Sequence, residues 1–431
     1  MARLRIKTTA ERIIYRAGGL PVAVRALLGG PTTDPLQTAF ARRYWRPAGT
    51  AEWSELVASL LLLPFGLLLS SAWFTWRNGP VIRRRCGKSV RSQVGEQFKF
   101  YFSAGVLPPW YYIFSLHDDG VRRAPTFIER FETKTSYFPM LKNRKGTPLN
   151  DKSRFAQFCK EHGIRCVETL MSLEGKVPNQ PLPECDLFVK PTTGRGGRGA
   201  ERWDFTSASV FRSADGEELS SDKLLERLVA RSRHTPLIVQ PRLSPHPELL
   251  AITTGALPTT RVLTCLDTEG EPEVIAAMLR TSCGTNRTVD NLHAGGIGAL
   301  IDVQSGKMSK ASNLGSDARL GWFSVHPDTN EAIKGRVVPQ WDEVKRAAIR
   351  AHRAFNDRVV IGWDISILKD GPIFIEGNGN PDLDILQRFM SIGFREHRFA
   401  ELLAFHLKAR GIVAAEPPDS HSSDRQTTAK G

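Results

Sequence analysis

Apolar and polar positions alternate along several short segments of this chain, and each such segment predicts a half-buried β-strand. Leu187-Phe188-Val189-Lys190, Leu237-Ile238-Val239-Gln240-Pro241, Thr260-Arg261-Val262-Leu263-Thr264 and Val274 to Arg280 are the clearest. Two more, Gly362-Trp363-Asp364-Ile365-Ser366-Ile367 and Gly371 to Asn378, flank a Lys369-Asp370-Gly371 turn and predict a hairpin. Because alternate strand residues share a face, that hairpin sets Asp364 beside Glu376 and aims Asn378 the same way. Helical spacing replaces alternation in two places. Phe155, Phe158 and Cys159 share one face of a helix opened by Asn150-Asp151-Lys152-Ser153, and Val344, Ala347, Ala348 and Ala351 share one between Trp341 and Phe355, where His352 reads as structural. From Leu56 to Trp76 the chain carries no charge at all, over about the length a bilayer-spanning helix needs. Residues 413–431 show no apolar period and read as a disordered tail.

The hairpin acquires chemical meaning from its oxygen donors. Two carboxylates and an amide suit Mg2+, which takes one or two carboxylates and completes its octahedron with water and phosphate oxygens; a surface hairpin with ordinary charges fits the same pattern. The strand ending in Lys190 runs into Pro191-Thr192-Thr193-Gly194-Arg195-Gly196-Gly197-Arg198-Gly199. Glycines there let backbone N–H groups approach phosphate, while Lys190, Arg195 and Arg198 add positive charge. No Gly-Lys-Ser/Thr follows at the required spacing, so the loop is not a Walker A motif.

In this order, the pieces resemble the ATP-grasp superfamily over roughly residues 145–410. The nearest likeness is to its sugar-transfer-associated, glutamate-ligase-like group, whose front segment is similar to Gly105-Val106-Leu107-Pro108-Pro109-Trp110-Tyr111-Tyr112 here and takes the resemblance back to about residue 85. The resemblance implies an α+β fold, the ATP-grasp arrangement of two α+β lobes gripping ATP, preceded by a helical N-terminal region. It implies that Lys152 and Lys190 bind phosphate under a lid containing Gly194, Gly196, Gly197 and Gly199. Adenine would meet the hinge at Val239, Gln240 and Leu243, and ribose Glu248 or, equally, His246. Arg261 and Arg280 would hold the γ-phosphate or an anionic intermediate. Asn291 and His293, within Asp290-Asn291-Leu292-His293-Ala294-Gly295-Gly296, would border the phosphates and the acyl substrate. Asp364, Glu376 and Asn378 would bind Mg2+ or Mn2+. The implied activity is an ATP-dependent, carbon–nitrogen-forming ligase working through an acylphosphate on small-molecule or saccharide carboxylates and amines, in polysaccharide or cell-envelope biosynthesis. A phosphotransferase acting on a hydroxyl, and a non-catalytic membrane-associated ATP-binding component of a polysaccharide assembly system, stay open as alternatives. The full metal set speaks against the second.

Composition narrows the setting. The chain has 431 residues, enough for two or three lobes, and six cysteines with no Cys-x-x-Cys pair, which fits a reducing, cytoplasmic compartment. Residues 1–100 hold sixteen Lys or Arg against five Asp or Glu, so +11 of the formal +14 sits at the front. Basic residues flank the apolar run on both sides and aromatics close it. That order predicts membrane contact, spanning or interfacial, on the cytoplasmic face, against a buried helical hairpin as the other reading. Starting more than fifty residues in, the run does not read as a cleavable signal peptide. Nucleic acid is not expected, since the basic residues do not interleave with aromatics. The expected layout is 1–84 as a basic front containing 56–76, 85–145 as a helical region, 146–240 as small lobe and lid, 241–412 as large lobe and 413–431 as tail. Tyr111 and Tyr112 read as core and not as a sugar platform. If the front only contacts membrane, removing 1–84 leaves a soluble ATP-binding chain.

Overall fold

The computed structural model describes residues 2–28, 34–143, 146–149, 151–193, 197–206 and 209–413. Five helices lead: α1 Ala2–Leu28, α2 Pro35–Tyr44, α3 Thr50–Cys86, α4 Val90–Ala104 and α5 Pro108–Ile113. Asp34 caps α2, its Oδ1 accepting from the Leu36 N–H at 2.8 Å, and Ser89 caps α4. Gly87 and Gly105 close α3 and α4 in the left-handed conformation, which a glycine adopts without steric cost.

Two antiparallel sheets follow. The first contains β1 Met171–Leu173, β2 Leu187–Pro191, β3 Glu201–Thr206, β4 Val210–Ser213, β5 Glu218–Ser220 and β6 Leu237–Pro241, in the order β1-β6-β2-β3-β4-β5. Its own core of Leu187, Val189, Trp203, Phe211 and Val239 is closed by Leu224 and Leu228 of the helix Ser221–Ser232. The second contains β7 Thr259–Leu266, β8 Pro272–Thr281, β9 Ile297–Ile301, β10 Met308–Ser312, β11 Trp322–Phe323, β12 Val360–Leu368 and β13 Gly371–Asn378, in the order β11-β10-β9-β8-β7-β12-β13.

The second sheet is covered on both faces, which explains why β12 is buried along its whole length. One face presents Val262, Ile361, Trp363, Ile365 and Ile367 to the helix Trp341–Ala354. Trp363 stands edge-on to Phe355 and Phe374, and its Nε1 donates to Thr264 Oγ1 at 2.9 Å. His352 donates its Nε2–H to the Arg358 carbonyl at 3.1 Å and meets the same hydroxyl through Nδ1 at 2.8 Å, a structural role. The helix Lys152–Glu161, which chain order assigns to the small lobe, packs here too, through Phe155 and Cys159. The opposite face presents Leu263, Cys265 and Met278 to a core that also contains Val22 and Ala23 of α1, Phe40 of α2, Phe131, and Leu403 of the C-terminal helix Arg398–Ala409. The front of the chain is therefore part of the main core. Removing residues 1–84 would strip that core, so the expectation that the remainder stays soluble is not one this structure supports.

Tyr111 and Tyr112 are buried core, and Trp110 beside them donates its Nε1 to Asp384 Oδ2 at 2.9 Å. The tail residues 414–431 lie outside the described residues.

Candidate active site

The register of the second sheet builds a charged row. Arg261 of β7, Asp364 of β12 and Glu376 of β13 are cross-strand partners, so their side chains stand side by side on one face. A bulge follows, because Asp364 pairs with Glu376 but Ile365 pairs with Phe374, leaving Ile375 as the extra residue. Such bulges re-aim side chains beside a site. Arg280 of β8 enters the row from the far side.

Asp364 is the most tightly held member. Its carboxylate accepts from Arg261 Nε, from Arg261 Nη2 at 3.0 Å and from Arg280 Nη2 at 3.1 Å. Burial pushes its carboxyl up, but the two guanidinium groups outweigh burial and hold it down to about 2. Arg280 also donates to Thr259 Oγ1 at 2.6 Å and stands 3.4 Å from Asp290, whose carboxyl burial raises against the pull of Arg280.

Glu376 is more open, and two lysines approach it. Lys152 Nζ lies 3.8 Å from Glu376 Oε2. Lys190, at the end of β2 in the other sheet, is buried; burial lowers its amine to about 8, with Lys152 acting in the same direction and Glu376 and Asp364 opposing. The two sheets thus contribute to one electrostatic neighbourhood, in which the four cations Lys152, Lys190, Arg261 and Arg280 face the three carboxylates of Asp290, Asp364 and Glu376.

The remaining predicted residues fall in different places. Gly197 has a positive φ of 69°, and a Cβ there would lie 2.7 Å from Val289, so the lid passes close to the segment before Asp290. Gly199 has a φ of 73°, and its carbonyl accepts from Arg231. Gly194 and Gly196, with Arg195 and Asn150, lie outside the described residues. Val239 is buried between two strands and its carbonyl accepts from the Leu170 N–H at 2.9 Å, so that carbonyl is already in use. Gln240 reaches the Val167 carbonyl at 3.5 Å. Leu243 packs with Val167, Leu257 and Ile375 in a small apolar cluster next to Glu376. Glu248 is exposed, and its carbonyl accepts from Arg336 at 2.9 Å; His246 caps the short turn before it. Asn291 Oδ1 caps the turn Leu292–Ala294 by accepting from the His293 N–H at 2.8 Å. The His293 ring is held below its ordinary value by burial, within the field of Asp382, Arg130, Arg198 and Lys134.

That field identifies a group the strand and motif patterns did not reveal. Arg130 Nε and Lys134 Nζ each lie 3.1 Å from Asp382 Oδ1, and Lys134 sits in the π-helical turn Thr133–Tyr137. Asp384, buried with an Oδ1 that has no hydrogen-bond partner, is pushed up to about 7 by burial and then by Asp382. Only the four-residue spacing of Arg130 and Lys134 in sequence could have drawn attention to the pair.

The residues present fit a divalent ion in part. Among the described residues no three His, Cys, Asp or Glu side chains gather as a metal site. The ligand set would therefore be two carboxylates and an amide. Glu376 is open, and Asn378 Nδ2 is 3.4 Å from Glu376 Oε1, so that a turned amide would offer its oxygen beside the carboxylate. Asp364 has three of roughly four acceptor positions occupied by arginine N–H groups, which leaves it about one for a metal.

Comparison with known proteins gives a family and distant folds. The sequence profile described as sugar-transfer associated ATP-grasp matches residues 132–398. No curated protein matches the chain. Among solved structures, D-alanine–D-alanine ligase from Bacillus anthracis in complex with ATP is similar at 12% identity and a TM-score of 0.35, covering 61% of this chain and 67% of that one. The L-amino acid ligase from Bacillus licheniformis matches at 12% identity and 0.36, covering 68% and 59%. The ATP-grasp ligase PsnB in complex with its minimal precursor matches at 15% identity and 0.34, covering 63% of each chain. The chain thus spans less than two thirds of the last two. None of these likenesses bears on the assignments made for individual residues.

Proposed function

We propose that this chain, which belongs to the sugar-transfer associated ATP-grasp family, is an ATP-dependent ligase that joins a carboxylate to an amine through an acylphosphate. The observation that carries the reading is the convergence of Lys152, Lys190, Arg261 and Arg280, drawn from both sheets and from the helix Lys152–Glu161, on the register pair Asp364 and Glu376. A surplus of fixed positive charge beside open carboxylate and amide oxygens is what a polyphosphate with its divalent ion requires. Residues 170–240, built on the first sheet, serve as one lobe, and residues 241–412 together with the helix Lys152–Glu161 packed on the second sheet serve as the other.

In this reading Glu376 and Asn378, with the free acceptor position of Asp364, hold Mg2+ or Mn2+, which neutralises phosphate charge when bound. Lys152 and Lys190 hold the phosphates; the loop that contains Gly197 and Gly199 covers them. Leu243 with Val167, Leu257 and Ile375 offers the apolar slot for the adenine beside the hinge at Val239 and Gln240, and Glu248 takes the ribose. Arg261 and Arg280 are fixed by Asp364 and need no reorganisation as charge moves to the transferring phosphoryl group. Asn291 sets the turn that carries His293, and Arg130 and Lys134 supply charge for an acidic substrate on that side. The substrate carboxylate oxygen attacks the γ-phosphorus and ADP leaves. The amine then attacks the acyl carbon, inorganic phosphate departs, and the amine proton passes to solvent. The family description supports a role in polysaccharide or cell-envelope assembly, and the apolar surface of α3 supports work at the cytoplasmic face of a membrane.

Hydroxylamine trapping tests the reaction class. Incubation with ATP, Mg2+ and pools of candidate carboxylates is expected to yield a hydroxamate together with phosphate. Phosphate transfer to a hydroxyl compound with no hydroxamate would replace the ligase by a phosphotransferase.

A further inference from the structure

A helix on the surface of a soluble protein turns hydrocarbon inward, whereas α3 turns it outward. Leu61, Phe65, Leu69 and Trp76 are 68%, 67%, 72% and 71% exposed, and Leu68 and Trp73 are more than half exposed. The buried side of the same helix holds Ser59, Ser71, Thr75 and Asn78. Thr75 Oγ1 accepts from Gln97 Nε2 at 2.7 Å and from the Tyr112 hydroxyl at 3.1 Å, and Ser59 Oγ donates to the Leu56 carbonyl at 2.7 Å, so these groups are satisfied inside the protein, while Ser71 Oγ is buried without a hydrogen-bond partner among the described residues. An apolar cavity of about 530 Å³ between α1, α3 and α4, reached by Leu63, adjoins this face.

We infer that α3 is an in-plane membrane anchor, its exposed face set into one leaflet of an anionic bilayer with the helix axis along the surface and not across it. The inference rests on the membrane contact proposed above but not on the ligase chemistry. Length alone would allow a crossing, since the uncharged 21 residues rise about 31 Å. The two ends of the helix forbid it. At the start, Glu52 pairs with Arg43 at 2.8 Å and with Arg16 at 3.2 Å, and the neighbouring Arg42 donates to the Ile412 carbonyl at 2.8 Å. Near the end, Arg77 pairs with Asp317 at 3.2 Å, Asn78 Oδ1 accepts from the Ala318 N–H at 2.8 Å, and Arg85 donates to the Arg319 carbonyl at 2.7 Å. Both ends are thus tied to the one body built on the second sheet. A crossing helix must release them on opposite sides of about 30 Å of hydrocarbon. The next helix, α4, runs back along α3 with Glu96 bound to Lys88 at 2.6 Å, charge that a surrounding bilayer would not accept.

The flanks favour lipid over a second protein. Trp53 lies near one end and Trp73 and Trp76 near the other, the places where indoles settle at a membrane interface. Arg46 before the helix and Arg83 and Arg84 at its end are exposed, where they meet anionic headgroups.

The test uses the full chain. With phosphatidylcholine–phosphatidylglycerol vesicles, the protein is expected to float with lipid, less so with phosphatidylcholine alone, and the double variant Leu68→Glu, Leu69→Glu to lose binding about tenfold or more. Inverted vesicles from expressing cells are then treated with an impermeant maleimide, and labelling at the exposed native Cys86 and at Ala48→Cys is read by peptide mass spectrometry. An in-plane helix labels at both positions from the cytoplasmic side. Labelling of only one of the two positions in these inverted vesicles overturns the in-plane geometry while leaving membrane contact intact. Failure to float overturns the contact itself, and a lipid-free dimer dissolved by Leu68→Glu assigns the face to self-association.

Discussion

The β12–β13 hairpin buries charge, while α3 exposes hydrocarbon, and each reverses the usual distribution of residues between interior and surface. Asp364 is 4% exposed and Leu69 is 72% exposed. The difference lies in what compensates each. Asp364 is satisfied within the protein by two guanidinium groups held at fixed register. Among the described residues nothing covers Leu61, Phe65 and Leu69, and the anchor inferred above assigns their compensation to lipid. A buried charged site is complete before its ligand arrives; an exposed apolar face is completed by its partner.

The sharpest way to break the comparison is to remove the internal compensation. Asp364→Ala leaves the part-buried Arg261 without its carboxylate and the buried Arg280 with Asp290 alone, and should cost about 3 kcal/mol in urea unfolding. Glu376→Gln, at an open position, should keep stability within about 0.5 kcal/mol while Mg2+-dependent phosphate release falls about 100-fold or more. Equal loss of stability in both variants would remove the distinction between a structural and a ligand-facing carboxylate.

Asp384 supplies a pH-dependent version. Its folded carboxyl is raised to about 7 from an ordinary value near 3.8, so the protonated form is favoured by folding. That contribution is fully present below the unfolded value and lost as pH rises from 4 through 7. Asp384→Asn should therefore gain about 4 kcal/mol relative to the parent on going from pH 4 to pH 8, in thermal or urea melts. A pH-independent difference would show that burial does not hold this proton.

At Lys190 the sign runs the other way. Burial lowers its amine to about 8, so the charge is present below pH 8 and lost as pH rises through it. ATP affinity should fall by up to about tenfold per pH unit above that point, and Lys190→Arg should flatten the dependence in calorimetric titrations. Lys190→Ala should weaken ATP by about tenfold at pH 7. The smallest effect belongs to the exposed region: Leu68→Glu should alter stability in lipid-free solution by no more than about 0.5 kcal/mol, checked by urea unfolding.

Alternation along β12 and β13 sufficed to predict the hairpin and to set Asp364 opposite Glu376, because side-chain direction in a strand repeats every two residues. The uncharged run from Leu56 to Trp76 was equally plain as a long apolar helix. Sequence could not say which way that helix faces, since its buried serines and threonine and its exposed leucines are sorted only by the contacts of α4 and α5. Nor could it show that α1 and α2 belong to the main core, because Val22, Ala23 and Phe40 share one buried cluster with Leu263 and Met278 from more than two hundred residues further along the chain. The Lys152 helix precedes the first sheet in sequence and packs on the second. Arg130, Lys134, Asp382 and Asp384 were invisible for the same reason: two come from the front helical region and two from the segment after β13, and no local period joins them. Strand direction, helix spacing and the order of motifs are properties of neighbouring residues, and the sequence determined them. Which charges meet, and which apolar face is left exposed, are set by contacts between distant segments, and only the tertiary structure decided them.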